Sequence, residues 1–187
     1  MKNLWESVVN NASSVLEFLA VIVILFVVAY ILDRMAAKKR KDTEKIFSTR
    51  KVAMIGMFSA ISMVLMLFEI PLPFAPSFYK LDFSELPILI GTFAFGPLAG
   101  VLMELLKILL KLCIKGTGTA FVGELANFTV GCTFILPAST IYAFRKTKKN
   151  AIIGAVIGAA IGFGTAAYSD YKSDGIWFNG KLEDYAF

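Results

Sequence analysis

The chain has 187 residues, of which 57% are hydrophobic and only 18% are charged, and its mean hydropathy is +0.71. This composition excludes an ordinary soluble domain, which needs far more polar surface, and predicts an integral membrane protein. The formal charge of +5 does not indicate nucleic-acid binding, because the cations cluster beside apolar runs as they do in membrane-facing loops.

Six apolar segments follow one another along the chain, and most are long enough for a membrane helix. They are Val15–Leu32, Val52–Ile70, Glu85–Phe95, Leu98–Ile114, Thr119–Ala143 and Ala151–Gly164. The first is longer than the core of a signal peptide and lacks a small-residue cleavage pattern, so we expect a retained helix. The sequence therefore predicts an all-α fold, a polytopic transmembrane helical bundle.

Two basic clusters, at 33–51 and 145–149, belong in the cytoplasm by the positive-inside rule, so an even number of spans should separate them. That parity requires a cytoplasmic reversal at Gly96-Pro97, where glycine allows unusual dihedral angles and proline can start a helix. Segment Glu85–Phe95 is then too short to cross the bilayer unaided. The helix must therefore be extended by residues of Asp82–Ser84, tilt little, or lie buried among other helices.

The run Pro71–Asp82 holds three prolines and three aromatic residues and should form a semi-rigid loop on the outer side. Its rings, with Phe83 just beyond, predict either a lid that stacks on a planar ligand or an interfacial aromatic belt. The following Ser84-Glu-Leu-Pro87 is typical of a helix start, where Asp82 or Ser84 could cap and Glu85 would suit the helix dipole.

Charged and amide side chains inside apolar helices are costly, so they indicate either a ligand site or internal pairing. Glu104, Lys107 and Lys111 share one helix face, with Glu104 and Lys107 at pairing distance and Lys111 able to snorkel outward. Glu124 and Asn127 share a face of the next helix near its outer end. The amide of Asn127 could read the amide and imide edge of a heterocycle or bond another helix.

Small residues form two stripes, Ala53/Gly56/Ala60 and Gly154/Gly158/Gly162, which would let a helix approach closely either within the protein or from a partner. Histidine is absent, and neither Cys113 nor Cys132 lies in a metal-binding spacing. The sequence has no nucleotide-binding motif and no nucleophile–base set. We therefore expect no metal, no cofactor and no catalytic residue.

Three ordered motifs, Lys80-Leu-Asp-Phe-Ser-Glu-Leu-Pro-Ile-Leu-Ile-Gly91, Phe95-Gly-Pro-Leu-Ala-Gly100 and Gly123-Glu-Leu-Ala-Asn-Phe-Thr-Val-Gly131, resemble the substrate-binding S component of energy-coupling-factor (ECF) vitamin importers, the riboflavin-specific type in particular. The resemblance spans roughly 50–162. It implies a membrane core with an outward pocket, capture of riboflavin, and partnership with a transmembrane coupling protein and two cytoplasmic ATPases.

The same resemblance implies site residues. The substrate-binding set is Gly123, Glu124, Asn127, Phe78, Tyr79, Leu81, Asp82 and Phe83. The set that meets the coupling protein is Gly56 and Ala60, extended to Ala53. Riboflavin is the transported ligand rather than a cofactor, and the protein is not an enzyme.

Relative to that family we expect three regions: an extra N-terminal helix and basic loop at 1–50, the membrane core at 51–164, and a polar tail at 165–187. The tail replaces an expected last helix, which suggests a truncated or frame-shifted terminus. Three alternatives stay open: an S component for another vitamin or nucleobase-like ligand, a truncated protein that binds nothing, and an intramembrane enzyme using Glu104 or Glu124.

Overall fold

The computed structural model describes residues 12–40, 48–68, 70–71, 80–81, 83–116 and 122–177. Six helices occur in these ranges: α1 Ala12–Arg40, α2 Thr49–Leu67, α3 Glu85–Phe95, α4 Pro97–Lys115, α5 Val122–Phe144 and α6 Lys148–Trp177. Two-residue strands, β1 Ile70–Pro71 and β2 Lys80–Leu81, pair antiparallel between α2 and α3. The predicted all-α helical bundle is confirmed. Each expected apolar segment overlaps a helix, but α2 ends at Leu67, before the predicted Ile70, and the first residues of the segment Thr119–Ala143 lie outside the described ranges.

Four described helices are long and apolar enough to cross a membrane, over Leu19–Lys39, Thr49–Leu67, Gly123–Phe144 and Lys148–Ala166. Helix α4 has 19 residues, the same length as α2, but it carries Glu104, Lys107, Lys111 and Lys115. Helix α3 has 11 residues and is the short segment that the sequence left in question.

The chain reverses direction at Gly96-Pro97, as the parity of the spans predicted. Gly96 has a φ of +100°, which favours glycine, and Pro97 is the first residue of α4. Gly91 faces Met103 and Gly100 faces Thr92, so α3 and α4 form an antiparallel hairpin. The small side chains let the two backbones approach closely.

Burial of α3 explains how a short helix is tolerated. Pro87, Ile88, Gly91 and Thr92 are buried, and α3 contacts α2, α4 and α5. Of the three possibilities for this segment, burial among other helices is therefore the one the structure supports.

Helices α5 and α6 pack along the second glycine stripe. A Cβ atom added to Gly154 would lie 2.7 Å from the carbonyl oxygen of Ala138, and Gly158 and Gly162 face Phe134 in the same way. This stripe therefore serves an intramolecular contact. Helix α6 also continues past Gly164 to Trp177, so the first part of the predicted polar tail is helical.

Helix α1 continues eight residues past the predicted end at Leu32, so the proposed loop 33–51 begins as helix. Arg34 Nε donates to the Tyr30 hydroxyl one turn earlier at 3.0 Å, and the alanines and lysines that follow are good helix formers. Ala29, Ile22, Leu25 and Phe26 pack in one core cluster with residues of α4 and α5, including Val101 and Phe128. The extra helix is thus a packed member of the bundle.

The bundle has two ends, which we name by their contents. The hairpin end contains Gly96-Pro97 and the α5–α6 connection at 145–147; the site end contains the start of α3 and the end of α4. Asp33 of α1 lies against Gly96, and Lys39 Nζ lies 5.1 Å from the centroid of the Phe144 ring. The cations of α1 and the 145–149 cluster therefore share the hairpin end, as the parity of spans requires.

Candidate functional site

Lys107 is the centre of a buried charge cluster near the site end. Its side chain is fully buried, and Nζ lies 2.6 Å from Glu104 Oε1 and 2.6 Å from Glu85 Oε1. Nζ also donates to the Ser84 hydroxyl at 3.5 Å. The predicted Glu104–Lys107 pair is confirmed, but Lys107 has a second carboxylate that the helical spacing did not predict.

The two carboxylates around Lys107 differ in their surroundings. Glu104 is fully buried and lies against Gly131 of α5, where any side chain would collide with the carboxylate. The Glu85 side chain is 30% exposed, and its Oε2 atom is buried without a hydrogen bond from the described residues. A buried acceptor without a donor is uncommon in proteins and is a natural place for a ligand or water hydrogen bond.

Lys111 joins this cluster to α5. Its Nζ lies 3.8 Å from Glu124 Oε1, and the Lys111 side chain is only 20% exposed while Glu124 is buried. The expectation that Lys111 snorkels outward is therefore wrong, because a buried carboxylate on the neighbouring helix attracts the ammonium group inward. The polar patches of α3, α4 and α5 that were separate in sequence are adjacent in space.

Asn127 lies at the same height as Lys107. The Lys111–Glu124 and Glu104–Gly131 contacts share one antiparallel register between α4 and α5, which places Asn127 level with Ile108. Asn127 is partly buried, and its amide makes no hydrogen bond with the residues that the structure describes. The alternative role, a hydrogen bond to another helix, thus finds no support in these ranges.

Contacts with α2 and α4 hold the start of α3, and of the two predicted capping residues only Ser84 lies within the described ranges. Ser84 has helical dihedral angles, and its side chain makes no capping hydrogen bond, so the capping role predicted for Ser84 is wrong. The Ser84 carbonyl oxygen instead accepts from Ser62 Oγ of α2 at 2.5 Å. Together with Lys107, Ser62 fixes the first residues of α3 against α2 and α4.

The residues predicted around the loop are described only in part. Phe83 is half exposed at the site end. Leu81 is described by its backbone alone, paired with Ile70 across the two-stranded ladder. Phe78, Tyr79 and Asp82 lie outside the described residues, so the choice between lid and aromatic belt stays open. Gly123 and Glu124 lie in the first turn of α5, one turn before Asn127.

The predicted coupling stripe is open on the outer face of α2. Ala53, Gly56 and Ala60 are exposed, and a Cβ atom added to Gly56 would meet nothing within 4 Å. The two small-residue stripes therefore differ: the α6 stripe is filled by α5, whereas no described residue covers Gly56. Within the described ranges, no group of three or more Cys, Asp or Glu residues could hold a metal ion.

Sequence reasoning missed the contact between Glu85 and Lys107. The two residues are 22 positions apart and belong to different helices, so no helical periodicity connects them. The hairpin at Gly96-Pro97 was the available signal, because folding α3 back along α4 brings Glu85 to the level of Lys107.

Comparison with known proteins agrees with this architecture. A family model described as "ECF transporter, substrate-specific component" matches residues 50–173. A solved structure described as "Structure and mechanism of the S component of a bacterial ECF transporter" is 34% identical with a TM-score of 0.63, covering 71% of this chain and 78% of that one.

Two curated relatives bear the name of riboflavin transporters. The chain is 38% identical over 112 residues to "Riboflavin transporter RibU" of Staphylococcus aureus (strain TCH60), covering 60% of this chain and 58% of the relative. It is 36% identical over 112 residues to "Riboflavin transporter FmnP" of Bacillus subtilis (strain 168), covering 59% of each. The matched region thus spans less than two thirds of either relative. The family model begins at residue 50 and so leaves out α1 of this chain.

Proposed function

Because the chain belongs to the family of ECF transporter substrate-specific components, we propose that it is the riboflavin-binding subunit of an ATP-driven ECF importer. The protein is a multi-pass membrane protein and a transporter component, which argues against the intramembrane-enzyme alternative. Riboflavin is the proposed ligand because the curated relatives named above are riboflavin transporters. The ligand is cargo, and no cofactor is proposed.

The amide of Asn127 is the observation that best supports a ligand site. It lies at the height of Lys107 and makes no hydrogen bond with the described residues. An amide offers two donors and an acceptor, which suits the paired hydrogen-bonding edge of a flavin ring. The buried Glu85 Oε2 could accept from a ligand hydroxyl group. Glu124, Gly123, Phe83 and the loop residues Phe78, Tyr79, Leu81 and Asp82 complete the proposed set.

Titration of the purified full chain with riboflavin tests the ligand. We expect quenching of riboflavin fluorescence with a saturable, one-to-one endpoint. Thiamine and a purine base serve as competitors for the related hypothesis of another vitamin or nucleobase-like ligand. If no flavin, vitamin or nucleobase binds to a folded chain, the non-binding alternative gains support.

We further propose that the open stripe Ala53, Gly56 and Ala60 meets the transmembrane coupling protein, which would work with two cytoplasmic ATPases. The support is the exposure of all three residues on α2 and the empty space around Gly56. In this arrangement the hairpin end, with the basic clusters, faces the cytoplasm and the site end faces outward.

A leucine at Gly56 tests the coupling surface. We expect Gly56→Leu to lower riboflavin uptake by cells while leaving riboflavin binding by the purified chain unchanged. Gly164→Leu is the matched control, because Gly164 also has open space around it but lies on α6. Equal uptake by the two variants would argue against the coupling role.

A further inference from the structure

We propose that Lys107 is a positioning residue for the ligand site: it fixes the start of α3, through Glu85 and Ser84, at the height of Asn127. This inference rests on the proposed function for its ligand but on the structure alone for its geometry. The family match assigns Lys107 no role, and the sequence pattern predicted only its pairing with Glu104. The contacts that carry the inference meet at one buried nitrogen and join the start of α3 to α4, and Glu104 extends them to Gly131 of α5.

The Lys107 ammonium connects the start of α3 with α4 through buried, charge-assisted contacts. It belongs to α4, it binds Glu85 at 2.6 Å and Ser84 at 3.5 Å in the first residues of α3, and its other carboxylate partner, Glu104, is held against Gly131 of α5. Because Lys107 is fully buried, water does not compete for these bonds. A displacement of the first turn of α3 would therefore break charge-assisted bonds.

The Lys107 ammonium has two carboxylate partners, and these two differ in burial. Glu104 alone can balance the buried charge of Lys107, since it is itself fully buried and one turn away on the same helix. Glu85 is not needed for charge balance, and it is the partly exposed member. We infer that the Glu85 bond serves position: it holds Glu85, and with it the start of α3, at the height of Asn127.

The first test measures position without a ligand. Spin labels on Phe83→Cys and on the exposed native Cys113 report the distance from the start of α3 to the end of α4, with the buried Cys132 replaced by serine. We expect a narrow distance distribution in the parent protein and a broad one after Glu85→Gln. Glu104→Gln is the matched control; it keeps the Glu85–Lys107 bond and should leave the distribution narrow.

The second test measures coupling in riboflavin binding on chains without labels. We expect Glu85→Gln and Lys107→Gln each to raise the riboflavin Kd about tenfold, and the double variant to bind no more weakly than Lys107→Gln. A lysine that only stabilised the bundle would lower the unfolding temperature without this non-additive effect on Kd. Independent, multiplying effects on Kd would overturn the inference.

The two tests separate the failure of this inference from the failure of the proposed function. If the parent chain binds no riboflavin, the proposed function fails and the distance distributions decide the role of Lys107. If Lys107→Gln does not fold, Glu85→Gln and Ser84→Ala still report on the same contact from the other side. An unchanged distance distribution in Glu85→Gln overturns the inference in either case.

Discussion

At the scale of single residues, the charges inside this membrane protein are paired across helices. An isolated lysine at the centre of a membrane helix costs roughly 2.5–3.5 kcal/mol on insertion scales. Lys107 avoids that cost by binding Glu85 and Glu104, and Lys111 does so by approaching Glu124. Asn127 differs from them, because its amide has no hydrogen-bonding partner among the described residues.

Replacing Asn127 tests the amide directly. We expect Asn127→Ala to weaken riboflavin binding by about tenfold or more, because a buried donor or acceptor on the ligand loses its partner. The unfolding temperature should change little, since Asn127 bonds no described residue. Fluorescence titration measures the Kd, and Asn150→Ala at the hairpin end is the control. An unchanged Kd in Asn127→Ala would remove this residue from the site.

Gly131 makes room for the Glu104 carboxylate, so a single methyl group there should be costly. We expect Gly131→Ala to destabilise the protein by about 1–3 kcal/mol, because the added Cβ atom collides with a buried charged group that cannot move freely. Thermal unfolding in detergent measures the change. Gly164→Ala is the control, where open space should let alanine stabilise the helix slightly. Stabilisation by Gly131→Ala would contradict the placement of Glu104.

At the scale of elements, α1 lies outside the region that the family model matches, yet it packs as an integral helix. Its small residues Ala29 and Ala36 are fully buried, whereas Val23, Ile24 and Val27 are exposed. The buried small residues indicate a close approach to α4 and α5. The exposed branched residues suit contact with lipid.

A larger side chain at Ala29 should separate α1 from the core. We expect Ala29→Leu to destabilise the protein by about 1–3 kcal/mol through overpacking. Val28→Leu is the matched control, since Val28 is 40% exposed and its neighbours can accommodate the change. Thermal unfolding of both variants measures the difference. If the two variants unfold at the same temperature, α1 does not pack as described.

Much of the helical architecture could be predicted from apolar runs, and the reversal at Gly96-Pro97 followed from the parity of the basic clusters. The end of α1 could not be predicted in this way, because Asp33–Arg40 are polar enough for a loop. These residues are helical because of their helix propensity and local hydrogen bonds. Asn127 was predicted as a site residue and stays a prediction. The Glu85–Lys107 bond depends on the tertiary arrangement of two helices, which no local spacing encodes.

At the scale of the whole molecule, successive helices alternate in direction, so the described helix ends fall at one of two ends of the bundle. The cations at the end of α1 and those of 145–149 lie at the hairpin end, and the buried charge cluster lies nearer the site end. This separation is the basis of the orientation proposed above, with the hairpin end in the cytoplasm.

Labelling with a membrane-impermeant thiol reagent tests this orientation. In a Cys113→Ser background we expect Lys115→Cys to react in intact cells and Thr147→Cys to react only after the membrane is permeabilised. Lys115 and Thr147 are both exposed, so burial alone should not prevent reaction. The reverse pattern would mean that the site end faces the cytoplasm.

The unequal arms of the α3–α4 hairpin set the depth of the proposed site. Both arms start at the same turn, but α3 has 11 residues and α4 has 19, so α3 begins about 12 Å short of the end of α4. Lys107, Glu85 and Asn127 lie at that depth. A molecule that binds there from the site end must leave bulk water and travel about two turns of helix along α4. Because α3 is short, a ligand must move into the protein to this depth before the site residues can recognise it.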